Sequence, residues 1–143
     1  MNFSTKVRYG TRAMIDIARM AGTDGGVTIT AVAESQELSR KYLESLLVQM
    51  RKAGLLKSRR GKAGGYSLNR AAAEISVYDI VVSLDGPFEL VDCSRSGQGC
   101  PRIKKCDTEP LWKHLTSTLA AEMKRITLED LMDNRSRTEV RNG

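Results

Sequence analysis

The stretch SRKYLESLLVQMRKAGLLKSRRGKAGGYSLN, residues 39–69, decides the fold. Its first half is a helix read from periodicity. Tyr42, Leu43, Leu46, Leu47 and Met50 recur at three- and four-residue spacing, while Arg40, Lys41, Glu44, Ser45 and Arg51 fall on the other faces. Ser39 stands where an N-cap belongs, and Gly54 where a helix ends. The second half changes period: residues 55–58 and 66–68 read as two short strands, joined by a loop holding Arg59, Arg60, Gly61, Lys62, Gly64 and Gly65. A helix followed at once by a basic, glycine-rich hairpin predicts a recognition helix and its wing.

Working outward, the segment before Ser39 supplies the partner helix. Residues 31–35, with Thr30 as cap, form a short helix and turn into the longer one, completing a helix-turn-helix. Any amphipathic pair shares that periodicity, so the wing that follows carries the assignment. Earlier still, Val7, Ala13, Met14, Ile17 and Ala18 mark a helix over residues 4–21, capped by Ser4 or Thr5 and closed by glycines at 22, 25 and 26. After the wing, residues 77–84 form another short helix with Ser76 as cap, and Asp85-Gly86-Pro87 ends it.

The charge is concentrated here. The chain of 143 residues has net charge +6. Between Arg40 and Lys62 there are eight cations (Arg40, Lys41, Arg51, Lys52, Lys57, Arg59, Arg60, Lys62) against one acid, Glu44. That is the footprint of a nucleic-acid partner, although a solvated basic face would look the same in isolation. The residues expected at DNA are Ser39, Arg40, Lys41, Tyr42, Glu44 and Ser45 on the helix and Arg59, Arg60, Gly61 and Lys62 on the wing. Arg60 is assigned to a narrow minor groove, with Arg59 and Lys62 on phosphates. Glu44 can accept from a cytosine amino group while repelling phosphate, so it selects rather than strengthens. A surface ion pair with a nearby cation is its plainer alternative.

Beyond Pro87 the character changes again. Cys93, Cys100 and Cys106 are the only cysteines, and they lie in a segment too poor in apolar residues to pack without a ligand. Nothing near the start reads as a secretory leader, and the longest apolar runs are too short to span a membrane, so a cytoplasmic protein with no membrane partner is expected. In that compartment thiols stay reduced, and an odd, clustered count favours a metal or redox site over a disulfide framework. Spacings of six and five residues are loose enough to wrap an iron-sulfur cluster. Zinc, which more often takes a Cys-x-x-Cys knuckle, remains the other reading.

From about residue 107 the helical pattern returns. Leu111, Leu115, Leu119 and Met123 repeat every four residues with Trp112 and Ile126 alongside, and Pro110 sits in the first turn. More apolar surface results than one small winged domain covers, which predicts a dimerisation helix, with packing against the first helix as the alternative. Thr127 and Asp130 form a capping box for a last short helix, and the tail is polar. The expected division is therefore a winged helix-turn-helix domain at 1–86, a cysteine loop at 87–106, dimerisation and terminal helices at 107–134, and a disordered tail at 135–143. The fold class is mainly α with a small β-wing.

These stretches, together with KVRYGTRAMIDIA, CSRSGQGCPRIKKC, LWKHL and ITLEDL, resemble the IscR-type family of bacterial winged-helix transcriptional regulators over nearly the full length. The resemblance implies a homodimer bound to a double-stranded DNA operator. It further implies an iron-sulfur cluster on the three cysteines, 2Fe-2S favoured over 4Fe-4S, repression of cluster-biogenesis genes, and cluster occupancy that tunes operator choice. A nitric-oxide- or iron-responsive repressor of the same family, and a zinc or thiol-switch repressor without a cluster, are the alternatives. No paired acid and base and no nucleotide loop is present, so neither an enzyme nor a small-molecule substrate is expected. In the cluster-assembly branch the fourth ligand is a histidine three residues after the last cysteine; here that position is Glu109, which becomes the candidate, with Asp107 and Asp92 behind it. The single histidine, His114, lies about 12 Å farther along the helix than Cys106 at ordinary helical rise.

Overall fold

The computed structural model describes residues 2–21, 25–62, 64–94 and 100–133. Six helices and one hairpin run in the order α1 (Thr5–Met20), α2 (Ile29–Gln36), α3 (Arg40–Lys52), β1 (Leu56–Arg59), β2 (Gly65–Leu68), α4 (Val77–Asp85), α5 (Glu109–Arg125) and α6 (Leu128–Met132), with single 3-10 turns between some of them. The core gathers one face of each helix of the N-terminal half. Met14 and Ile17 of α1, Leu43, Leu46, Leu47 and Met50 of α3, and Ile80 of α4 are all fully buried. Each such side chain contributes about 1.5–3 kcal/mol relative to exposure.

Side-chain caps fix the helix starts. Ser4, Ser39 and Ser76 accept from the backbone N–H groups of Val7, Tyr42 and Asp79. Ser76–Asp79 and Thr127–Asp130 are full capping boxes, each carboxylate accepting from the cap's own N–H at 2.9 Å. One expectation needs correction: α2 begins at Ile29 under Thr28, not at Ala31 under Thr30. Thr28 follows Val27, which is pinned in an extended bridge to Tyr66, and the chain turns helical as soon as that bridge ends.

The wing is an antiparallel pair with Leu56 opposite Leu68 and Arg59 opposite Gly65. Val27 adds a third segment to it, exchanging two 2.8 Å hydrogen bonds with Tyr66. This close approach requires Gly65. Its φ is +134°, and a Cβ there would run into the Val27 carbonyl. Gly54, with φ +80°, turns the chain out of α3 just past its Ala53 C-cap.

The C-terminal elements part company. α6 returns to α1 and to the turn at Ala72–Glu74, burying Leu128 completely and bridging Thr127 to Ser76. α5 lies against α4, yet of its residues only Met123 is buried. Leu111, Leu115 and Leu119 remain 49%, 37% and 39% exposed. The expected tail at 135–143, and the middle of the cysteine loop at 95–99, fall outside the described residues. No described helix is long and apolar enough to cross a membrane.

Candidate DNA interface and cysteine centre

The opening turn of α3 stands free at the surface. Arg40, Lys41, Glu44 and Ser45 are exposed along it, Ser39 is exposed at its cap, and Tyr42 is half-buried. The two serines are chemically distinct. Ser39 Oγ accepts from the Tyr42 amide, leaving its own proton to donate outward. Ser45 Oγ donates to the Tyr42 carbonyl at 2.6 Å, leaving lone pairs to accept. Glu44 makes no ion pair among the described residues.

At the wing, Arg59, Arg60, Gly61 and Lys62 are all exposed at the hairpin tip. The tip is tied to the recognition helix by Arg51, whose guanidinium donates to Ser58 on β1 at 3.0 Å. Sequence reasoning counted Arg51 only as charge. It also missed a column of rings beside α3: Tyr9 of α1 meets Tyr42 edge-on, centroids 6.2 Å apart, and the Arg12 guanidinium lies 5.5 Å from the Tyr9 centroid. The Tyr9–Tyr42 contact has no sequence signature, since it depends on how α1 crosses α3, whereas Tyr9 and Arg12 are i,i+3 neighbours on α1 whose spacing could have been read.

The cysteine segment leaves α4 at Gly86, and its contacts among the described residues include two light ones. Phe88 stacks on Phe3, centroids 6.2 Å apart, and the Leu90 N–H donates to Thr116 Oγ1 of α5 at 3.4 Å. Cys93, Cys100 and Cys106 are free and partly exposed. Among the described residues no three acidic, cysteine or histidine side chains converge as a metal site. The donor chemistry nevertheless suits an iron-sulfur cluster, which takes thiolates. Cys106 Sγ lies 3.3 Å from Thr108 Oγ1, and hydrogen bonding from the Thr108 side chain and then its backbone holds the thiol below its ordinary pKa, so the thiolate is favoured.

Glu109 is the first residue of α5, and its N–H donates to the Cys106 carbonyl at 3.3 Å. The chain therefore brings Cys106 and Glu109 into one turn. The Glu109 carboxylate is engaged by Lys113, one helical turn on, an ion pair absent from the sequence reading. His114 is exposed farther along α5, and Asp92 and Asp107 are exposed beside Cys93 and Cys106.

Comparison with known proteins fits this arrangement. Residues 3–134 match the family described as Rrf2, iron-dependent transcriptional regulator. The chain is 38% identical over 136 residues to protein rrf2 of Nitratidesulfovibrio vulgaris, covering 95% of this chain and 90% of that one. It is 36% identical over 140 residues to the HTH-type transcriptional regulator IscR of Klebsiella pneumoniae, covering 98% and 85%. Among solved structures, CymR, the global cysteine regulator of B. subtilis, superposes with TM-score 0.75 at 34% identity over 94% of this chain and 98% of its own. IscR of T. potens superposes with TM-score 0.74 at 35% identity over 94% and 88%. The chain belongs to the Rrf2 family of transcriptional regulators, DNA-binding proteins rather than enzymes, and its winged-helix architecture is theirs.

Proposed function

We propose that this Rrf2-family regulator is an iron-sulfur-sensing repressor, acting on genes for cluster biogenesis, in which occupancy of the cysteine segment tunes operator choice. One observation carries the reading: three free thiols lie between α4 and α5 of a winged helix whose recognition surface stands open. The likeness to IscR regulators at 36% identity supports it.

In this account Cys93, Cys100 and Cys106 hold the cluster, 2Fe-2S in preference to 4Fe-4S, with Glu109 as fourth ligand. When bound, such a cluster supplies a removable, redox-sensitive cross-link between distant parts of one loop. The chain does the rest. Leu90 and Thr116 join the loop to α5, and Phe88 and Phe3 join it to the start of α1, so ordering residues 87–106 braces both helices against the DNA-binding half. A coupling of about 1–3 kcal/mol suffices to shift operator affinity five- to a hundredfold or more.

At DNA, Ser39, Arg40, Lys41, Tyr42, Glu44 and Ser45 enter the major groove, and Arg59, Arg60, Gly61 and Lys62 follow the backbone into the adjacent minor groove. Leu111, Leu115 and Leu119 pack against the same face of a second copy. Symmetric half-sites call for a two-fold dimer, and no other surface of the described residues exposes so regular an apolar row.

The test is isolation under anaerobic conditions. A brown protein absorbing in the visible, whose colour is lost in Cys93→Ala, Cys100→Ala and Cys106→Ala variants, is expected. A colourless parent with bound zinc, or with three freely titratable thiols and no metal, refutes cluster sensing and leaves the zinc or thiol-switch repressor.

A further inference from the structure

We propose that Arg12 is an additional DNA phosphate contact, set on α1 beside the recognition helix and held there by the Tyr9–Tyr42 column. The inference rests on the reading of α3 as the element that docks in the major groove.

Three observations carry it. First, the column begins at the docking surface. Tyr42 is the third residue of α3, its ring receives the edge of Tyr9 at 90°, and the Arg12 guanidinium lies over Tyr9 in turn. Both rings also pack on the core, so the platform under Arg12 is fixed rather than floating. Second, the cation is unspent. Arg12 is exposed, and among the described residues no acid pairs with it. Its natural helical partner four residues on, Asp16, is already taken, its carboxylate accepting from Ser35 and Gln36 of α2. Third, stacking suits the task. A guanidinium held in cation-π contact, here 5.5 Å from the Tyr9 centroid, keeps its N–H groups for a planar acceptor and loses less freedom when a phosphate arrives than an untethered one.

Arg8, one turn earlier on the same helix and also exposed, extends the charge along α1. Arg40 and Lys41 are exposed in the first turn of α3, the helix whose Tyr42 meets Tyr9. The sequence places Arg12 outside the 40–62 cluster of cations; only the crossing of α1 and α3 brings it to the same surface.

The contact is to backbone, so it adds affinity without sequence preference. The experiment measures binding to a duplex recovered by the parent protein from a random-sequence pool, and to a scrambled version, across a salt series. For Arg12→Gln the slope of log affinity against log salt should flatten by about 0.9 for each protomer engaged, with affinity lowered by the same factor on both duplexes. Arg12→Lys, which keeps the charge, should recover most of the slope. A parental slope in Arg12→Gln, with the parent and an Arg60→Ala control behaving as a wing contact requires, overturns the proposal alone. A parent that recovers no duplex overturns it together with the docking of α3.

Discussion

Two halves of the chain are closed to different degrees. In the N-terminal half, among the described residues up to 86, inward-facing side chains from α1, α3 and α4 are sealed, with Met14, Ile17, Leu43, Leu46, Leu47, Met50 and Ile80 all at 0% exposure. From Phe88 to Arg125 the only buried residue among those described is Met123, at 8%. The first half is closed by its own contacts and caps together with α6, whose Leu128 enters the core and whose Thr127 bridges to Ser76. The second leaves three leucines in water and three thiols uncommitted. That asymmetry suits the proposed function, in which a closed reader of DNA is tuned by what the cysteine segment binds.

Substitutions should separate the halves by their cost to folding. Leu46→Ala, in the sealed core, is expected to lower unfolding free energy by about 3 kcal/mol in denaturant titration. Gly65→Ala should cost roughly 2 kcal/mol, because a Cβ at that positive φ meets the Val27 carbonyl, and the DNA footprint should shrink at the wing first. Thr127→Ala breaks the capping box of α6 and should cost about 1 kcal/mol, measurable as a lower midpoint with unchanged denaturant dependence. Leu115→Asn, on the open row of α5, should change monomer stability by less than about 0.5 kcal/mol yet shift the sedimentation profile from dimer to monomer. A Leu115 variant as damaging to folding as Leu46→Ala would erase the distinction between the halves.

What the sequence disclosed followed the same line. The recognition helix, its Ser39 cap, the basic wing and the Thr127–Asp130 box are written in residues close together in the chain, where period and capping rules apply. Thr28 and Thr30 flank one isoleucine and are equally good caps on paper; the bridge from Val27 to Tyr66, which ends just before Thr28, chooses between them. α6 reads as an appendage of the long helix until its Leu128 is seen inside the core with α1. The leucine row was legible as a pattern, and the fold adds that the described residues leave it largely exposed.

The candidate site divides likewise. The three cysteines and the exposed face of α3 were evident from composition and spacing. The Thr108 contact to Cys106 and the Tyr9–Tyr42 contact were not, because they depend on a rotamer and on helices crossing, whereas the Glu109–Lys113 pair is an i,i+4 spacing that the sequence carries openly. That Glu44 makes no ion pair among the described residues could be seen only once its neighbours were in place.

The central claim is that the open strip governs the closed reader, and fluorescence anisotropy on one duplex tests it most directly. Anaerobically purified protein and the same protein stripped of metal by chelator would be titrated onto a duplex selected by the parent. The account predicts affinities differing by about tenfold or more, equivalent to about 1.4 kcal/mol of coupling, with the difference abolished in Cys106→Ala. Superimposable curves for the two forms, at equal fractions of folded dimer, would contradict it.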